Sequence, residues 1–236
     1  FFTYTYQRAL DETRARLSAF VDCPASSMVF VPNATTGVNA VLRSWPLQPG
    51  DEILVTNHGY AACNQAAAYM AGRSGATVKV ARLPFPLLLD QTEAEAQILD
   101  AIKAEISGRT VLAIVDHITS GTALVQPVGD IVALCREREI PVLVDGAHAP
   151  GMLDLHIDAI GADWYAGNLH KWVGAPSGAG SLWTAAKHRD TTRPLAASHG
   201  VSDGYQEAFA WQGTRDITPW LTVPAAIAAV QRRWGW

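Results

Sequence analysis

Seven short apolar runs, most of them rich in β-branched residues, recur along the chain, at residues 28–31 (MVFV), 52–56 (EILVT), 78–83 (VKVARL), 111–116 (VLAIVD), 140–145 (IPVLVD), 163–167 (DWYAG) and 180–183 (GSLW). Runs this short and this continuously apolar fit strands buried on both faces. Between them lie stretches of helical character, at residues 4–21, 59–73, 92–107 and 128–139. In the third, Ile98, Ile102 and Ile106 recur at four-residue spacing while Glu93, Glu95 and Lys103 fall elsewhere, which predicts an amphipathic helix lying on a sheet. The alternation predicts an α/β fold, a mainly parallel seven-stranded-type sheet with helices on both faces. No repeat, linker or low-complexity segment interrupts it, and residues 188–204 (HRDTTRPLAASHGVSDG) read as a surface loop rich in turn formers.

Composition narrows the partners. With 236 residues, 49% of them hydrophobic, the chain can bury one large core. A formal charge of -4 provides no basic surface for a polyanion, which argues against nucleic acid or an anionic membrane as main partner. Cys23, Cys63 and Cys135 are odd in number and far apart with no CxxC pair, so neither a disulfide framework nor a metal site is expected, and the cytoplasm is the default compartment. The apolar runs are too short to span a bilayer. The sequence starts FFTYTYQ without methionine and stops at RRWGW, so residues are expected to be missing at both ends.

In open α/β sheets ligands gather at the carboxyl ends of the strands, so the polar residues that follow each apolar run carry the chemistry. Four runs end this way: in Asn57-His58, in Asp116-His117, in Asp145 with His148, and in Asn168 with His170 and Lys171. Any one of them reads equally as a helix cap or a turn. A further segment, PNATTG, opens a helix with Thr35 and Thr36, either as an ordinary cap or as a backbone cradle for a phosphate. It lacks the lysine of a Walker A loop, and no GxGxxG follows the first strand, so neither a nucleoside triphosphate nor a dinucleotide is indicated. Lys171 reads either as a solvated charge or as a buried amine for covalent chemistry. An amine nucleophile needs a carbonyl partner, and pyridoxal phosphate supplies one; it also requires a carboxylate for its ring nitrogen, which Asp145 offers, and a phosphate cradle. Tyr60, two residues after His58, would face the same side on an extended segment and is a possible general acid. His117 reads as a core histidine bonded to backbone, Cys63 as helix packing, and Trp172 and Trp211 as candidate pocket walls.

The pieces NATTGVN, NHGY, DHITSGTALVQPV, LVDGAHAPG, GNLHKW and WQGTRD, in this order, resemble the class V aminotransferase group of fold type I pyridoxal phosphate enzymes, most closely its isopenicillin N epimerase-like members. The resemblance runs from about residue 10 to the end. It implies that Lys171 is the Schiff-base lysine, Asp145 the partner of the pyridine nitrogen, and His58 the side chain stacked on the ring. It implies a phosphate held by Thr35, the N–H of Thr36, Asn168 and His170, with His148 and Ser120 approaching the phenolic oxygen. Thr214 would reach the phosphate of a neighbouring subunit, which implies a homodimer with shared sites. The implied organisation is an N-terminal helical segment, 1–20, joined to a pyridoxal phosphate-binding large domain, 21–236, with the small C-terminal domain missing or truncated. Relatives take the arginine for the substrate carboxylate from that domain; Arg215 is the one nearby candidate in a matched motif. The implied activity is at the α-carbon of an amino acid: an epimerase or racemase first, a C–S lyase on a cysteine conjugate or a cysteine desulfurase-like enzyme next, transamination also open, and a silent cofactor-binding relative as the remaining alternative.

Overall fold

A computed structural model describes residues 5–86 and 90–235. Tyr4, the first residue of the expected leading helix, and both quoted chain ends reach outside the described residues. All seven apolar runs form strands: β1 (Met28–Val31), β2 (Glu52–Thr56), β3 (Thr77–Ala81), β4 (Thr110–Asp116), β5 (Val142–Gly146), β6 (Trp164–Asn168) and β7 (Gly180–Thr184). They make one sheet in the order β1-β7-β6-β5-β4-β2-β3. Strands β2 to β6 pair in parallel, whereas β7 runs antiparallel to both of its neighbours, so β1 points the same way as β6.

The helices among the described residues are α1 (Tyr6–Phe20), α2 (Ala34–Ser44), α3 (Ala61–Ser74), α4 (Gln91–Glu105), α5 (Val128–Arg136), α6 (Ile157–Ile160), α7 (Tyr205–Ala210), α8 (Thr218–Leu221) and α9 (Val223–Trp234). Alternate residues of each strand feed opposite layers, as a pleated strand requires. Met28, Phe30 and Leu54 pack with Leu10, Leu17, Ile98, Ile131 and Ile227 on one face. Val29, Val31, Ile53 and Val55 pack with Val38, Val41, Ala67 and Phe209 on the other. Each fully buried Val, Leu, Ile, Phe or Met side chain among them contributes roughly 1.5–3 kcal/mol of transfer free energy.

Of the isoleucine series in α4, Ile98 and Ile102 are buried, but Ile106 is the C-cap, where the backbone turns extended, and is only half-buried. Edge strand β3 leaves Val80 exposed, while β1 at the other edge is buried throughout because α7 and α1 lie against it. The run after residue 204, where the apolar pattern predicts nothing, folds into α7, α8 and α9, and α9 packs on α1. Pro219 and Pro224 stand in the first two positions of α8 and α9, where proline's missing N–H costs no helical bond.

The chain leaves β2 for β3 on one side, then returns to place β4 on the other. That reversal opens a crevice at the carboxyl ends of β2 and β4, the place where such sheets bind ligands.

Candidate active site

The carboxyl end of β1 leads directly into α2, whose N-cap is Asn33. Asn33 Oδ1 accepts from the Thr36 N–H at 2.8 Å and from the Thr36 hydroxyl at 3.0 Å. Asn168, at the end of β6, accepts from the Ala34 N–H at 2.8 Å. The Thr36 amide expected to serve a phosphate is therefore already occupied. The Thr35 amide is the one in this first turn with no protein acceptor among the described residues, and it points from the positive end of the helix dipole. Gly180, paired with both Val31 and Asn168, lets the Asn33 backbone come close: a Cβ there would stand 2.7 Å from Asn33 Cα. Asn33 was not among the candidate site residues, although an asparagine just before Ala-Thr-Thr is a legible cap signal.

Two carboxylates lie side by side at the centre. Asp116 and Asp145 are register partners on β4 and β5, and both are buried. Asp145 accepts from the Ala147 N–H at 3.0 Å and from the Cys63 thiol, also at 3.0 Å. Cys63, on α3, is thus a ligand of this carboxylate as well as packing. Burial raises the Asp145 carboxyl above the usual range, and burial followed by the neighbouring Asp145 pushes Asp116 up to about 8. The Tyr60 N–H, 3.4 Å from Asp116, opposes that shift. His117 is buried, but its ring bonds the Tyr165 hydroxyl at 2.8 Å and not the backbone as expected; burial lowers it to about 4, so it stays neutral.

Lys171 reaches this centre from the loop after β6. Gly151 presses against the backbone of Trp172, where a Cβ would meet the Trp172 carbonyl carbon at 2.7 Å, so the loops after β5 and β6 run in contact. The result is a chain of side chains: Lys171 Nζ lies 2.8 Å from His148 Nε2, and the Trp172 indole N–H points at His148 Nδ1 at 3.3 Å. Burial lowers the Lys171 amine, against the pull of Asp145, Asp116 and Cys63. The Tyr60 ring centroid is 6.0 Å from Lys171 Nζ. His170 turns its Nδ1 to the Ala179 carbonyl at 2.8 Å, leaving Nε2 for another partner.

The segment holding His58 and Tyr60 is not extended: Gly59 N–H bonds the Thr56 carbonyl at 3.1 Å in a turn. The two rings therefore part company. His58 bonds Thr122 at 3.0 Å and tilts against Phe85, while Tyr60 stays with Lys171. Between the β2 and β4 loops is a cleft of about 550 Å³ lined by His58, Tyr60, Ser120 and Thr122. Thr214 lies exposed between α7 and α8, and among the described residues no hydrogen bond joins it to the Lys171 cluster. Arg215 lays its guanidinium over the Trp220 ring, 4.6 Å to the centroid, and Trp211 packs edge-on against Tyr6 and does not wall this pocket. No helix among the described residues is long and apolar enough to cross a membrane.

The mixed seven-stranded sheet with its covering helices has a structural counterpart. The solved cystine C–S lyase C-DES, in complex with its product cysteine persulfide, superposes with a TM-score of 0.85, covering 97% of this chain and 62% of that one, at 24% identity, a level that speaks for the fold alone. The family described as Aminotransferase class-V matches residues 2–231. The chain belongs to the class V aminotransferase family. Isopenicillin N epimerase of Amycolatopsis lactamdurans is 34% identical over 91% of this chain and 57% of its own length. L-cysteine desulfhydrase of Arabidopsis thaliana is 32% identical over 96% of this chain and 52% of its own. The chain thus spans about half the length of these relatives.

Proposed function

We propose that this chain is the cofactor-binding part of a pyridoxal phosphate-dependent enzyme acting at the α-carbon of an amino acid. The observation that carries this reading is the convergence of the buried Asp145 and the half-buried Lys171 beside a helix N-terminus that has an amide to spare. The donor set fits the group: an amine for its aldehyde, a carboxylate for its ring nitrogen, and small polar residues for its phosphate. When bound, the cofactor supplies an electron sink for the pair left by a bond broken at the substrate's α-carbon.

Lys171 would hold the aldehyde and would be the amine placed to take the substrate's α-proton. Asp145, kept in place by Cys63 and Ala147, would hold a proton on the ring nitrogen. The phosphate would meet the Thr35 amide and hydroxyl, with Thr36, Asn168 and His170 around it. Tyr60 and His58 would bound the ring face, Tyr60 being the ring beside Lys171, while His148 and Ser120 would approach the phenolic oxygen. Exposed Thr214 would serve a partner subunit's phosphate in a homodimer. A cytoplasmic location fits the three free thiols.

For the outcome at the α-carbon two readings stand. Similarity to isopenicillin N epimerase supports epimerisation. Similarity to L-cysteine desulfhydrase supports C–S cleavage to the same degree.

The test is the visible spectrum of the purified protein with pyridoxal phosphate, followed by borohydride reduction and peptide mass analysis. A yellow protein carrying the reduced cofactor on Lys171 is the expected result. Equal colour in Lys171→Ala would refute the assignment. Incubation with L-amino acids, L-cysteine included, then separates a D-product from released sulfide.

A further inference from the structure

We propose that Trp172 is a positioning residue that fixes the proton of His148 on Nε2 and thereby presents Lys171 as a neutral, nucleophilic amine. The inference deepens the assignment of Lys171 above and rests on it for its purpose, though not for its geometry. An indole N–H can only donate. Aimed at His148 Nδ1 from 3.3 Å, it requires that nitrogen to accept. A neutral imidazole that accepts at Nδ1 carries its proton on Nε2. That N–H then faces Lys171 Nζ at 2.8 Å, and the contact is a hydrogen bond only if the lysine offers a lone pair.

The opposite assignment fails on the same two distances. A lysine ammonium donating to Nε2 needs the imidazole proton on Nδ1, head-on to the indole N–H. An imidazolium also fails, since its Nδ1–H meets the indole N–H donor to donor, whatever the state of the lysine. Only the neutral amine satisfies all three groups.

The other groups facing Lys171 are Asp145 and Asp116 from the ends of β5 and β4, Cys63 from α3, and the Tyr60 ring. The two acids favour an ammonium when ionised. Both are held toward their protonated forms by burial, which leaves His148 as the neighbour in direct contact. Trp172 can be exchanged safely because it is half exposed, and phenylalanine keeps its ring while removing only the N–H.

The experiment uses the full chain freed of any bound carbonyl compound. Acetic anhydride, which reacts with free-base amines, labels it across a pH series, and peptide mass analysis reads Lys171 against exposed Lys103. In Trp172→Phe the imidazole can place its proton on Nδ1 and accept from an ammonium. The Lys171 profile should then shift about one unit upward, about tenfold less labelling near neutrality. The tautomer is read independently from the imidazole 15N shifts of His148: Nε2–H in the parent, a mixture in Trp172→Phe.

An Nδ1–H tautomer in the parent, or an unchanged Lys171 profile in the variant, would overturn the proposal. Failure of pyridoxal phosphate to attach to Lys171 would sink the functional reading instead, and would leave the tautomer and labelling results standing.

Discussion

Exchanging Asp116 for asparagine alters one proton at the centre of the site and keeps the shape. Asp116 sits opposite Asp145 on adjacent strands, and burial together with that neighbour pushes it up to about 8 from 3.8. A raised folded-state value means that the native protein binds this proton more tightly than the unfolded chain does. The associated stability is fully present below about pH 4 and is lost progressively as pH rises toward about 8. Within that window the slope is about 1.4 kcal/mol per pH unit, so between about pH 6 and about pH 7.5 the parent should lose about 2 kcal/mol through this one group. Lys171 acts with the opposite sign: its folded-state value is lowered from 10.5, so its contribution improves as pH climbs through the interval between the two. The parent profile alone therefore mixes two opposed effects. Asparagine mimics the protonated acid, still accepts from the Tyr60 N–H, and cannot ionise. Urea unfolding of cofactor-free parent and Asp116→Asn at the two pH values isolates the Asp116 contribution. The variant's advantage should grow by about 2 kcal/mol from the lower pH to the higher. A pH-independent difference, or one that shrinks, would show that Asp116 is ionised in the native pocket and would refute the reasoning.

Two glycines offer further tests. In Gly146→Ala the new methyl would occupy the space of the Tyr165 ring, so the variant should lose about 1–3 kcal/mol and show a lower melting temperature, with the His117–Tyr165 bond strained. In Gly180→Ala the methyl would press on the Asn33 backbone, and the damage should fall on the phosphate cradle. Titration should find pyridoxal phosphate bound about tenfold more weakly, a loss of about 1.4 kcal/mol, with pyridoxal itself little changed; equal losses for both ligands would place the cradle elsewhere.

Apart from edge strand β3, the strands were readable because they are buried on both faces, and burial on both faces writes itself as a continuous apolar run, as in MVFV and EILVT. The late helices were not. α8 has four residues and α7 six, too short for a period to repeat, and their best signals are the prolines at the starts of α8 and α9. Among site residues, Asp145, His148 and Lys171 announced themselves by following apolar runs. The thiol bond from Cys63 to Asp145 did not, since it joins residues 82 apart on a helix and a strand. Nor did the parting of His58 from Tyr60, because a turn at Gly59 breaks the two-residue alternation that would have kept them together.

By itself the sequence determined which segments are strands, that polar residues cluster at their ends, and which side chains are available for amine chemistry. These follow from local patterning, which needs no knowledge of what lies across the sheet. Only the tertiary structure decided that β4 inserts between β2 and β5, so that Asp116 faces Asp145, whose charge adds to burial in holding the Asp116 proton on. It likewise decided that the loops after β5 and β6 touch at Gly151, which brings Trp172, His148 and Lys171 into one hydrogen-bonded line. Proton affinities in this pocket depend on distances and burial among groups far apart in the chain, and those exist only once the sheet has assembled.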